Sequence, residues 1–189
     1  MRTSARRSAR QLARFAGALY LAIIATSIYS FYRPETRLAF DLRVIALAAF
    51  VIVVAVLYVL FKPVSRNLSL AGAIFGVAGS TMGVLNSFHL APFRLNNLVL
   101  FAFYCILIGT LIIRSSFIPR HVGVLMVIAG PGYLTLLWPA FGNSLEPWNL
   151  IPGAVGELTL AVWLFVKGVN QERWVEQSWV EQSRIAAAE

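Results

Sequence analysis

The chain has 189 residues, of which 59% are hydrophobic and 13% charged, and its mean hydropathy is +0.74. A soluble domain of this length needs far more polar surface, so that class is excluded. The 16 Lys+Arg against 8 Asp+Glu give a net charge of +8. These basic residues sit in linkers between apolar blocks and form no aromatic-and-basic surface, which argues against nucleic acid as a partner and makes the charge a topology signal.

Six apolar blocks follow one another, each near the length of about 18 residues or more that a membrane-spanning helix needs. The first runs from Phe15 to Tyr32, behind the arginine-rich MRTSARRSARQLAR. The second runs from about Phe40 to Phe61 and is closed by Lys62 and Pro63; the third covers about Leu68 to Phe88, followed by Pro92 and Arg94. The fourth runs from about Leu98 to Ile113, the fifth from about Val122 to Phe141, and the sixth from about Asn149 to Val166. The expected architecture is therefore an all-α polytopic bundle of six transmembrane helices. It comprises a basic N-terminal segment (1–14), a transmembrane domain (15–168) and a C-terminal tail (169–189).

With six spans, 12 of the 16 basic residues fall on the side of the termini and only Arg33, Arg37, Arg43 and Arg94 on the other. The positive-inside rule then places both termini in the cytoplasm. No small-residue cleavage site follows the first block, since SIYSFYRPET is crowded with aromatics, so a retained helix is expected rather than a signal peptide. Arg2, Arg6, Arg10 and Arg14 share one side of a helix, which suits both orientation and contact with anionic lipid headgroups. The tail repeats WVEQS at 174–178 and 179–183; Trp174 and Trp179 then lie about 140° apart and share no face, so the repeat reads as a tolerant tail.

The third helix carries its small residues on one arc. Gly72, Gly76, Gly79 and Gly83 form two small-xxx-small patterns of the kind that let helix backbones approach closely. Intramolecular packing is the expected use, with homodimerisation through this face as the alternative.

Glu157 stands alone in an apolar run. Its side of the sixth helix carries Gly153, Ala154, Ala161 and Leu164, so it is expected to face the bundle, about 15 Å of helix from Lys167 and near mid-membrane. In the fifth helix Gly130-Pro131-Gly132 predicts a break that frees backbone carbonyls. Two states of Glu157 stay open: a neutral carboxyl donating to one of those carbonyls or to Asn86, and a charged one in an outward-facing cavity near Arg94, Arg43 or His89.

Catalysis finds little support. His89 and His121 are a membrane thickness apart, so no metal or haem is expected between them, and Cys105 reads as a small packing residue. No cofactor is expected. Tyr133, Trp138 and Trp148 read as interfacial anchors or packing residues.

RFAGALYLAII (14–24), KPVSRNLSLAG (62–72), FYCILIGTLIIRSSFIPRHVGVLMVIAGPGYL (103–134) and PGAVGELTLAVWLFVKG (152–168) together resemble the bacterial membrane family catalogued as domain of unknown function 4386. The resemblance implies a six-helix bundle in the bacterial cytoplasmic (inner) membrane and no assigned activity. The chain departs from the family's pattern in its short FYRPETRLAFD linker. Two functions are carried forward: a small-solute or proton-linked permease built around Glu157, Asn86 and the 130–132 segment, and a structural or accessory protein acting through helix association.

Overall fold

A computed structural model describes residues 2–91 and 96–186, with side chains for 9–91 and 96–183. Among these residues the chain is all helical. The helices are α1 (Arg2–Tyr32), α2 (Arg37–Phe61), α3 (Arg66–Ser87), α4 (Asn97–Arg114), α5 (Arg120–Leu134), α6 (Pro139–Ser144), α7 (Ile151–Val166) and α8 (Gln171–Ala186), with a 3-10 turn at Thr135–Leu137. The connections are short, and their polar residues start the next helix. The Thr36, Ser65 and Asn96 side chains accept the first free backbone N–H groups of α2, α3 and α4, which removes unpaired donors at the helix ends.

The six long helices close into a ring. α1 packs on α2, α2 on α3, α3 on α4, α4 on α5, α5 on α7, and α7 returns to α1. Five of them are long and apolar enough to cross a membrane: α1 (from Ala9), α2, α3, α4 and α5 with its 3-10 extension. α7, at 16 residues, is the shorter sixth member, about 24 Å long against the ~30 Å of a bilayer core. The chain is thus a multi-pass membrane protein. α1 and α8 touch at one end of the ring, called the termini side below; the opposite end is called the far end.

On the termini side the ring is filled with side chains. Leu57, Leu60, Phe61, Ile108, Leu111, Ile112, Met126, Leu160 and Leu164 are fully or almost fully buried. Each glycine of the α3 arc meets a neighbour of the same chain. A Cβ on Gly72 would touch Ile108, one on Gly76 would meet Val54 and Tyr104, one on Gly79 Phe101, and one on Gly83 Leu47 and Asn97. The small-residue face is therefore used to seat α3 against α2 and α4.

The tail is more ordered than a tolerant extension. Gly168 adopts φ +68°, a left-handed turn that glycine tolerates without steric cost, and α8 leaves α7 at 103°. The two WVEQS repeats are inequivalent. Trp174 donates its indole N–H to the Leu60 carbonyl at 2.9 Å, and Gln177 accepts from the Ser116 N–H and hydroxyl at 3.1 and 3.2 Å, whereas Trp179 is 55% exposed. Trp174→Phe is expected to cost about 1 kcal/mol of docking energy, read as faster amide exchange confined to α8. Unchanged α8 exchange would show that the indole bond does not hold the tail.

Candidate functional site

Glu157 projects into the ring, as its small-residue face predicts. Gly153, Ala161, Leu164 and Gly168 of that face are buried and Ala154 is exposed, while on the other side Val155, Val162 and Val166 are exposed and Thr159 and Trp163 half-buried. Two phenols hold the carboxylate, one from each helix flanking α7. The Tyr20 hydroxyl of α1 donates to one oxygen at 3.0 Å, and the Tyr133 hydroxyl of α5 donates to the other at 2.8 Å. These two bonds fix both oxygens of the carboxyl.

Backbone contact places both tyrosines. A Cβ on Gly17 would run into the α7 backbone at Phe165 and Leu164, so α1 lies against α7 there, and Tyr20 follows one helical turn later. Gly153, one turn before Glu157, leaves the space that the tip of the Tyr133 ring occupies; a Cβ there would overlap the ring and its hydroxyl. Arg10 and Arg14 bind the end of α7 from the same helix, donating from Nε to the Lys167 carbonyl at 3.3 Å and the Phe165 carbonyl at 3.0 Å. These bonds satisfy acceptors that a helix C-terminus leaves unpaired.

Above the carboxyl lies a cavity of about 660 Å³, which all six ring helices line. Its members include Tyr32, Arg43, Ser87 and Asn97, which stand at or near the far ends of α1 to α4, together with Asn86, and it reaches Tyr20, Phe50, Tyr133 and Glu157. From Tyr20 to Tyr32 is 12 residues, about 18 Å of helix, so the cavity runs from the far end to mid-depth. Glu157 itself is half-buried; its accessible surface faces this space. Glu157, Arg43 and Asn86, expected as neighbours, are thus brought to one cavity. His89 is exposed and is not among its lining residues; Arg94 lies outside the described residues.

Two expectations are corrected. The Gly130-Pro131-Gly132 segment is not a break: α5 continues from Arg120 to Leu134 with Pro131 inside it. The glycines serve close approach instead, Gly130 to Ile106 and Gly132 to the Asn149 backbone. The Gly132 carbonyl accepts from the Thr135 hydroxyl at 2.7 Å, so this segment supplies no carbonyl to Glu157, whose partners are tyrosines. Tyr133, read as an anchor or packing residue, is 7% exposed and belongs to the carboxylate site.

Tyr20 was missed, yet its signal is present. Among the buried positions of α1, Ala9, Ala13, Ala16 and Tyr20 form a stripe of 3- and 4-residue steps in which Tyr20 carries the one polar group, and a hydroxyl on a buried stripe needs a partner.

Aromatic rings surround the carboxyl. Phe50 lies 5.4 Å from Tyr20, 4.8 Å from Phe101 and 5.3 Å from Tyr104, centroid to centroid. The Tyr104 and Ser80 hydroxyls are buried without a hydrogen-bond partner among the described residues, and Cys105 is fully buried beside Tyr104. No cluster of three or more His, Cys, Asp or Glu suited to a metal occurs among the described residues.

Comparison with known proteins bears on the same region. Residues 94–168, which include Tyr133 and Glu157 but not Tyr20, match the family model described as Domain of unknown function (DUF4386). An uncharacterized protein of the archaeon Archaeoglobus fulgidus is 26% identical over 132 residues, covering 62% of this chain and 76% of the relative. No solved structure matches. The similarity to the DUF4386 family, which has no assigned function, thus falls on the segment that carries Glu157.

Proposed function

We propose that this protein is a small-solute permease of the proton-linked kind, with Glu157 as its proton-binding group. The observation that carries this reading is the cavity that descends from the far end of the ring to a carboxylate at mid-depth. A carboxylate kept only for packing is expected in a dry site, because a buried acid is costly and solvent access adds nothing to helix association. Intramembrane acids facing a cavity are the usual carriers of protons in transporters.

The groups around Glu157 suit proton exchange. Tyr20 from α1 and Tyr133 from α5 donate to it, and Phe50 packs against both Tyr20 and Tyr104 of α4, at 5.4 and 5.3 Å between ring centroids. Arg43 of α2 and Asn86 of α3 share the cavity. A phenol donates or accepts, so when Glu157 takes a proton one tyrosine can turn to accept from it, and the cluster keeps its bonds in both states.

In this reading both termini are cytoplasmic, as the 12-to-4 distribution of basic residues supports, the far end faces outward, and the membrane is the bacterial cytoplasmic one. The arginines of α1, Arg10 and Arg14 among them, lie where anionic headgroups would meet them; the side chains of Arg2 and Arg6 are outside the described residues.

The test is infrared difference spectroscopy of the wild type and Glu157→Gln in nanodiscs as pH is varied. A carboxyl band that comes and goes with pH in the wild type and is missing from the variant is the expected result. A band that never changes, in a protein whose Gln variant is equally stable, would overturn the proton site and favour an accessory protein in which Glu157 only ties α1, α5 and α7 together.

A further inference from the structure

We infer that the cavity takes an amphipathic organic cation: an amine or quaternary ammonium head placed at Glu157, with an apolar body lying against Phe50 and Phe101. This rests on the reading of Glu157 as a functional site and adds the chemistry of the solute.

Charge selects first. Among the described residues Glu157 is the only acidic one lining the cavity, and the only other charged one is Arg43, near the far end. The floor is therefore negative and the entrance positive. An anion would be held at the entrance and repelled from the floor, whereas a cation gains most at the bottom, where water is scarcest and the attraction strongest.

The lining excludes two other classes. A small metal ion wants a shell of about six or more oxygens, and the floor presents one carboxylate with two phenols. A sugar or other polyol needs many polar partners. Here the deep lining is Tyr20, Phe50, Phe101 and Tyr133, and the polar groups Ser27, Ser87, Asn86 and Asn97 stand nearer the far end.

Aromatic faces attract ammonium groups, quaternary ones included, because the ring quadrupole is negative above its plane. Phe50 packs edge-on or tilted against Tyr20, Phe101 and Tyr104 at 4.8 to 5.4 Å, a closely packed aromatic cluster that meets the carboxyl through the Tyr20 hydroxyl. The volume of about 660 Å³ lies within the range of small-molecule sites, about 300–1,000 Å³.

The test uses the full chain in nanodiscs and two probes of one shape: benzyltrimethylammonium and its uncharged carbon isostere, neopentylbenzene. The expected result is saturable binding of the cation alone. Affinity should fall about tenfold or more in Glu157→Gln and by a smaller factor in Phe50→Leu. Ala154→Leu keeps the comparison valid if Glu157→Gln is unstable. Ala154 lines the cavity without bonding the carboxyl, so this variant should block binding while the infrared signal of Glu157 persists. Equal binding of the uncharged isostere would overturn the inference, since the cavity would then be only an apolar pocket. A carboxyl that titrates in a protein binding neither probe would overturn the solute class and leave the proton site standing; loss of both signals would remove both.

Discussion

Gly153→Ala is expected to evict the Tyr133 ring from α7 and break its hydrogen bond to Glu157. The added methyl would occupy the space now held by the ring tip and its hydroxyl, and the ring cannot stay within 2.8 Å of the carboxylate once displaced. The lost bond is worth about 0.5–1.5 kcal/mol to a neutral carboxyl and about 1.5–3 kcal/mol to an ionised one, and the cavity floor would lose one of its two anchors. The check is thermal unfolding in detergent, run as a cycle with Tyr133→Phe. The overlap with ring carbons Cζ and Cε1 remains in Tyr133→Phe, but no hydrogen bond is left to lose. The two substitutions should therefore be non-additive by about the worth of that bond, with Gly153→Ala costing less once the hydroxyl is gone. Simple additivity would show that Gly153 does not place Tyr133.

Gly17→Ala is expected to act from the other side of the site, by pushing α1 off α7. Here the obstruction is main chain: the new Cβ would lie 2.8 Å from the Leu164 carbonyl carbon and the Phe165 Cα, atoms that cannot rotate aside as a side chain does. Alanine gains about 1 kcal/mol in helix propensity over glycine, while overpacking costs about 1–3 kcal/mol or more. A net loss of up to about 2 kcal/mol or more follows, with the Tyr20–Glu157 and Arg14–Phe165 bonds weakened together. Stability measured beside the infrared band of Glu157 separates the two consequences. A variant more stable than wild type, with an unchanged carboxyl band, would mean that the α1–α7 contact is loose.

Both glycines control a carboxylate they do not touch. In a membrane, where lipid is as apolar as the helix surface, association depends on close backbone approach rather than on hydrophobic burial. Small residues therefore set which polar groups meet. The α3 arc seats its helix against α2 and α4 by the same means.

Much of this was legible from composition and pattern. Long apolar blocks can satisfy their backbone groups in a bilayer only as helices, and so the class, the helices and their approximate limits follow from the chain alone. The inward direction of Glu157 was legible too, because Gly153, Ala161 and Leu164 mark its side of α7 as the packed one. The proline at 131 misled for a physical reason: a proline costs one backbone hydrogen bond, and a helix clasped by α4 and α7 absorbs that loss without breaking. The order of the tail was hidden as well, since the two WVEQS repeats are identical in sequence and only the first reaches the Leu60 carbonyl.

By itself the sequence determined the medium, the helical class and the presence of one inward-facing acid, all of which depend on local hydropathy and helical period. Only the tertiary structure decided what that acid meets. Tyr20 and Tyr133 are 137 and 24 residues from Glu157, and they converge because α7 closes the ring between α5 and α1. The cavity above them arises from the same closure: six helices around a common axis leave a central space, which large side chains fill on the termini side and leave open toward the far end.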